Sequence, residues 1–194
     1  MKGKGCTRVG VCGKTPEVAA LQDLLIHTLK GLSIASVAGR KVNISDKETN
    51  RFTCMAMFST LTNVEFDPYR FEDLLFQSVS LRDKMIQRVT AAGGKVETTS
   101  DAVTLKLKPT LDGMVKQAKN YGLMSDPDVN PDIRSLQHML LFGIKGIPRL
   151  LDVGMPILQS SLPWPLPRPL IPMSTGCPCH LSSPGMNKKQ LPCC

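Results

Sequence analysis

Three times in this chain a capping side chain stands directly before a proline and an apolar stripe of helical period. The pairs are Thr15-Pro16, Asp67-Pro68 and Asn130-Pro131. A Thr, Asp or Asn side chain accepts from a free N–H of the first turn, and proline suits the first helical position, where its missing donor is not needed. Behind Thr15 the apolar residues Val18, Leu21, Leu24, Leu25, Leu29 and Leu32 recur at three- and four-residue spacing, with Gly31 as a possible break. Behind Asp67 the stripe is Phe71, Leu74, Leu75, Val79, Leu81, Met85 and Val89, and Gly93-Gly94 stops it. Between the two, Ser45-Asp-Lys-Glu48 reads as a capping box ahead of Phe52, Met55, Ala56, Met57 and Leu61. Three such helices in series over residues 15–92 predict an all-α fold that opens with a three-helix bundle.

Residues 95–147 read as a connector followed by the start of a second bundle. Val103-Thr-Leu-Lys-Leu-Lys alternates like a short strand, and a loop fits equally well. Thr110 to about Tyr121 has a helical pattern despite Gly113. The helix opening at Asn130 repeats the one opening at Thr15. With the numbering shifted by 115, Pro16, Leu21, Gln22, Leu25, Lys30 and Gly31 recur as Pro131, Leu136, Gln137, Leu140, Lys145 and Gly146. A shared cap, proline, Leu-Gln pair and Lys-Gly pair point to duplication of a bundle rather than to two unrelated amphipathic helices.

The composition changes abruptly after Ile147. Ten of the fifteen prolines and four of the seven cysteines lie in residues 148–194, which carry a single acid. Leu162-Pro-Trp-Pro-Leu-Pro-Arg-Pro cannot continue a helix. An irregular, extended tail is expected over 148–194. A Pro-rich linker is one reading of it; a slipped coding frame is the favoured one. Read one base earlier, Met155-Pro156 and Trp164-Pro165 each necessarily yield an alanine codon, and ordinary codons for 161–173 can yield a helix-forming, Ala-rich peptide. The expected organisation is therefore a cysteine loop (1–14), a first bundle (15–94), a connector with the start of a second bundle (95–147) and the tail (148–194).

The net charge of +8 is dispersed: 20 Lys and Arg face 15 Asp and Glu in 1–147, and four face one in 148–194. No basic run with interleaved aromatics suggests a nucleic-acid groove. No run of eighteen apolar residues suggests a membrane span, and no secretory h-region opens the chain, so a cytoplasmic, reducing setting is expected. In that setting seven cysteines read as metal ligands and free thiols rather than as a disulfide framework.

The chemistry-bearing stretch is the start. Cys6 and Cys12, with five residues between them, stand in a glycine-rich loop that runs straight into the Thr15 helix. Thiolates bind metal, and a helix N-terminus offers N–H groups and the positive end of a dipole, which suits an anionic cluster. Cys54, inside a helical stripe, reads as a small buried apolar residue. Cys177-Pro-Cys179-His180 and Cys193-Cys194 resemble a zinc site only loosely, with spacings of no common finger. His27 and His138 fall on helices and read as partly exposed helix residues. No hydrolase triad, phosphate loop or dinucleotide fingerprint is present, and no catalytic residue is assigned.

The stretch Gly5-Cys-Thr-Arg-Val-Gly-Val-Cys-Gly-Lys-Thr-Pro-Glu-Val-Ala-Ala-Leu-Gln-Asp-Leu-Leu-Ile resembles the N-terminal region of the hybrid-cluster proteins, or hydroxylamine reductases. Tyr121-Gly-Leu-Met-Ser-Asp-Pro-Asp-Val-Asn-Pro-Asp-Ile-Arg-Ser-Leu-Gln137 and Gly143-Ile-Lys-Gly146 resemble a second block of that family. The resemblance implies an N-terminal domain of two three-helix bundles. It implies that Cys6 and Cys12 are two of four cysteines holding a conventional iron–sulfur cluster. The family's first pair, a Cys-x-x-Cys, has no counterpart in Met1-Lys-Gly-Lys, so incomplete coordination and poor cluster uptake by the isolated chain are expected.

The activity implied is two-electron reduction of hydroxylamine to ammonia and water, fed by an electron-donor protein. It occurs at a second, hybrid iron–sulfur–oxygen cluster whose ligands lie in later domains. The expectation for this chain is an N-terminal fragment that is inactive alone. The competing class is a non-catalytic helical fragment without cofactor, separated from it by iron and sulfide analysis. A small zinc or scaffold protein is a third reading, resting on the tail.

Overall fold

A computed structural model of the chain describes residues 13–161, excepting Met124, Asp126 and Pro127, with side chains up to Pro148. Helix α1 (Pro16–Lys41) begins where the Thr15-Pro16 pair predicts, and the Thr15 hydroxyl accepts from the Val18 N–H at 3.3 Å. Gly31 does not interrupt it: the helix runs ten residues further, and Ala35, Ala38 and Gly39 of that extension are buried. Helix α2 (Lys47–Ser59) and helix α3 (Pro68–Ala91) complete the expected bundle. Leu21, Leu24, Leu25 and Leu29 of α1 meet Phe71, Leu74 and Leu75 of α3, with Phe52 and Ala56 of α2 closing the core. A second small core joins Ala35 and Ala38 to Met85 and Val89. Gly93 ends α3 in the left-handed region (φ +76°), and the Gly94 N–H donates back to the Val89 carbonyl at 2.9 Å.

Among the described residues α1 is the one helix long and apolar enough to cross a membrane. Its apolar residues are instead the centre of the core, which is where a broad apolar face goes when partner helices are present.

The α2 cap is Asp46, one residue beyond the Ser45 that the capping-box pattern suggests. A carboxylate is the stronger acceptor, and Asp46 takes both the N–H and the hydroxyl of Thr49. These bonds, the Thr49 hydroxyl first, hold the Asp46 carboxyl below its ordinary value of 3.8. A depressed carboxyl contributes stability that is present above the unfolded value and is lost as pH falls through the folded one. Asp46→Ala is expected to cost about 1 kcal/mol at neutral pH. Its unfolding midpoint should converge on that of the wild type as pH drops below about 4. A difference that stays constant down to pH 2 would sink this account of the cap.

The connector resolves the strand-or-loop ambiguity. Residues 101–104 form one helical turn, α4 (Asp101–Thr104), and the chain from Leu105 is non-helical. Two of the backbone groups that a strand partner would meet are met by one side chain. Gln117, on helix α5 (Leu111–Ala118), donates to the Lys106 carbonyl at 2.9 Å and accepts from the Lys108 N–H at 3.1 Å. Among the described residues there is no strand, as the all-α class predicts.

Helix α6 (Pro131–Ser161) starts at Asn130, whose side chain accepts from the Asp132 N–H at 2.8 Å. It then corrects the expected boundary at Ile147. The helix continues through Pro148 and Pro156 to Ser161, so 148–161 is not irregular. A lone proline removes one hydrogen bond and bends a helix. The seven residues between these two, Arg149–Met155, are mostly apolar helix formers. The expected irregular course of the Pro-rich sequence after Ser161 lies outside the described residues.

Candidate functional site

Cys6 and Cys12, the assigned cluster ligands, lie outside the described residues, as do Cys177, Cys179, His180, Cys193 and Cys194. Description begins at Gly13, which leaves the cysteine loop with φ +84°, a conformation that side-chain-bearing residues adopt only with strain. Lys14 follows and is 8% exposed. Its ammonium donates to the Leu61 carbonyl at 2.7 Å and lies 5.7 Å from the centroid of the Phe66 ring. Leu61 follows the C-terminal cap of α2, where the helix dipole is negative and draws a cation.

A second cation reaches the same point from the far end of the chain. Lys145 of α6 places its Nζ 3.5 Å from the carbonyl of Thr60, the neighbour of Leu61. Burial lowers the affinity of Lys145 for its proton; the Asp23 carboxylate opposes that effect and the Lys14 charge adds to it. Asp23, on α1, has its carboxyl pushed up by burial, against the pull of Lys145 and His138. Gly122 (φ +107°) lets the connector pass over this carboxylate: a Cβ there would stand 2.5 Å from Asp23 Oδ2. Lys14, directly before α1, and Lys145 thus converge on the C-terminal end of α2, with Asp23, two turns into α1, acting on Lys145.

At the start of α1 two backbone N–H groups are taken up within the turn: that of Val18 by the Thr15 hydroxyl and that of Ala19 by the Thr15 carbonyl. Pro16 has none. The Glu17 carboxyl is held below its ordinary value, first by its own backbone N–H and then by the Thr15 hydroxyl. Positive potential remains, from the helix dipole and the two lysines. The buried Gln22 amide nitrogen has no acceptor among the described residues. Lys14, next to the cysteine loop in sequence, is a positive charge of the kind that favours an anionic, thiolate-held cluster.

The other sequence candidates do not join this site. Cys54 is half-buried on α2, and burial pushes its thiol up, away from the thiolate that binds metal. The His27 ring lies tilted by 33° against Tyr121, ring centroids 4.1 Å apart, with Nε2 3.3 Å from Asp101 Oδ2. It ties α1 to the connector. His138 lies near Phe142 on α6, with ring centroids 6.3 Å apart. Among the described residues no three His, Cys, Asp or Glu side chains converge as a metal site. Sequence reading missed Lys14, Asp23 and Lys145. The repeat pairs Lys145 with Lys30, but Lys30 is exposed on α1, so periodicity alone does not reveal that Lys145 turns inward.

The sequence model described as the Prismane/CO dehydrogenase family matches residues 2–156. That match also runs past the boundary expected at Ile147. The chain is 56% identical over 151 residues to a hydroxylamine reductase of Syntrophobacter fumaroxidans, covering 78% of this chain and 28% of that protein. It is 46% identical over 155 residues to a hydroxylamine reductase of Methanocella arvoryzae, covering 79% and 28%. A third, from Solidesulfovibrio magneticus, is 42% identical over 152 residues, covering 78% and 27%. The chain therefore spans a little over a quarter of the length of these relatives.

Proposed function

We propose, because the chain belongs to the Prismane/CO dehydrogenase family, that it is the iron–sulfur, electron-entry part of a hydroxylamine-reducing oxidoreductase. The observation that carries this reading is the pair of cations, Lys14, next to the cysteine loop in sequence, and Lys145, which meets the same end of α2. Cys6 and Cys12 supply two thiolates. A cluster held by them accepts and passes single electrons. Lys14 and Lys145 favour its more negative, reduced state, since a positive charge in a dry setting stabilises added negative charge. Gly13 sets the direction in which the loop leaves α1.

The reaction served is hydroxylamine plus two electrons and two protons giving ammonia and water. The relatives named above carry that activity in their name, and this reading extends it to the present chain as a member of the same family. The electrons come from a donor protein in the cytoplasm. The reduction belongs to a hybrid iron–sulfur–oxygen cluster, in the part of the family protein beyond the matched span.

The test is anaerobic reconstitution with iron and sulfide, read by metal and sulfide analysis and visible absorption. The 194-residue chain is expected to load incompletely. The same chain with a Cys-x-x-Cys segment placed ahead of Gly5 should load fully. Cys6→Ser with Cys12→Ser in that extended chain should remove at least half of the bound iron, since an iron–sulfur cluster ordinarily takes four thiolates. None of the three should turn over hydroxylamine. Undiminished iron in the serine variant overturns the ligand assignment, and turnover by any of them overturns the placement of the chemistry.

A further inference from the structure

His27 of α1 closes the connector onto the first bundle at two points, Asp101 at the start of α4 and Tyr121 beyond α5. Its side chain is 15% exposed, whereas that of Asp101 is 67% exposed, so the histidine is the covered partner. Its Nε2 is buried 3.3 Å from Asp101 Oδ2, a charge contact that is not aligned as a hydrogen bond. The Tyr121 ring covers the imidazole from the far side of α5. One turn further along α1, the Ala102 carbonyl of α4 sits on Gly31.

Among α1 to α5, the element that His27 holds is the least secured. The caps Thr15, Asp46, Asp67 and Thr110 each accept a bond from the first turn of their helices, whereas the Ser100 side chain before α4 makes none. Besides the burial of Ala102 and Val103, this single turn is held by the Arg82 guanidinium and by His27. A short element with few bonds of its own is where a protein opens first.

Of these holds, His27 is the one whose charge changes near neutral pH. Burial lowers its affinity for a second proton; Asp101 of α4 opposes that effect and Lys30 of α1 adds to it. Asp23, one turn earlier on α1, faces Gly122 and Lys145. Tyr121 stays neutral, its ionisation pushed up by burial and by Asp101. The net direction for His27 is down from the ordinary value of 6.5. The closed site therefore keeps the ring neutral, and an open one lets it take a proton. With its value depressed, the closed state loses stability as pH falls below 6.5 and goes on losing it until the closed value is reached.

We propose that His27 is a proton-operated latch: with a neutral ring, α4 and Tyr121 lie closed on α1, and protonation releases them. Release loosens the connector on both sides of α5, which stays anchored in the main core by Met114 and Ala118. The latch is independent of whether the cysteine loop holds a cluster.

Amide hydrogen exchange of the full 194-residue chain at pH 7 and pH 5 tests this, read as protection factors so that the intrinsic pH dependence of exchange divides out. The reporters are the N–H groups of Val103 and Tyr121, which donate to the Ser100 and Ala118 carbonyls at 3.0 and 2.9 Å. Their protection should fall at least about threefold from pH 7 to pH 5, with a ceiling of about 25-fold for a histidine of ordinary value that the closed site never charges. At both pH values they should stay at least about tenfold less protected than the buried mid-helix residues Leu25 and Leu75, because the opening is local. His27→Gln, which keeps a donor and cannot titrate, should hold the fall below about twofold. If circular dichroism shows that variant to be unfolded, nuclear magnetic resonance of the wild-type His27 ring decides. Its titration midpoint should lie below 6.5, and lower again in Asp101→Asn. Protection that does not fall, a fall that His27→Gln leaves unchanged, reporters that exchange together with Leu25 and Leu75, or a ring midpoint at or above 6.5 each overturn the proposal.

Discussion

Adding one methyl group at Gly31 is expected to lower the stability of the fold by about 3 kcal/mol, the upper range for overpacking, because the obstacle is backbone rather than side chain. A Cβ at Gly31 would stand 2.1 Å from the carbonyl oxygen of Ala102 and 2.7 Å from its carbon. The turn of α4 rests directly on α1 at this point, so relief requires α4 to move away as a unit. That movement breaks what holds α4 down, the hydrogen bond from Arg82 Nη1 to the same Ala102 oxygen. The repeat supplies the control. Gly146 is the counterpart of Gly31, and a Cβ there meets nothing within 4 Å. Gly146→Ala should be neutral or stabilise by up to about 1 kcal/mol, since alanine is the better helix former. Urea unfolding in dilute protein, followed by circular dichroism, measures both. Equal midpoints for Gly31→Ala and the wild type would show that α4 does not press on α1.

Arg82→Met is expected to cost a further quantity of the same order, about 3–4 kcal/mol, because it strips donors from buried carbonyls as well as removing a charge partner. Arg82 is 3% exposed in the middle of α3. Its Nη1 donates to the Ala102 and Leu105 carbonyls at 3.1 and 2.9 Å, and its Nε and Nη2 reach Asp83 Oδ1 at 2.9 and 2.8 Å. The guanidinium serves one carbonyl in the turn of α4 and one just beyond it, and a planar fork is what allows one side chain to serve both carbonyls and a carboxylate. Arg82→Lys should recover less than half of the loss. The Gly31→Ala and Arg82→Met losses should not add: once α4 has lifted, the bond to Ala102 is already gone. A double variant as destabilised as the sum of the two singles would show that they act on separate contacts.

The helix starts were legible because each is a local event. Thr15, Asp67 and Asn130 cap the first turn within four residues of themselves, and a proline next to each sets the direction of the chain. Composition does not place the α6 boundary: proline density after Ile147 is a property of a long stretch, whereas Pro148 and Pro156 act singly and the helix tolerates both. How many N–H groups the α1 start keeps free is likewise not legible in sequence, and only the observed bonds show that Thr15 takes those of Val18 and Ala19.

The sequence by itself determined the all-α class, the three helices of 15–92, the repeated pattern that pairs α6 with α1, and Cys6 and Cys12 as the candidate ligands, because period, caps and family pattern all lie along the chain. Only the tertiary structure decided that Lys14 and Lys145, 131 positions apart, meet at Thr60 and Leu61. Only it decided that Gly31 is obligatory while Gly146 is not. Those outcomes depend on what packs against a residue, and a residue's own sequence neighbourhood carries no record of what folds back onto it.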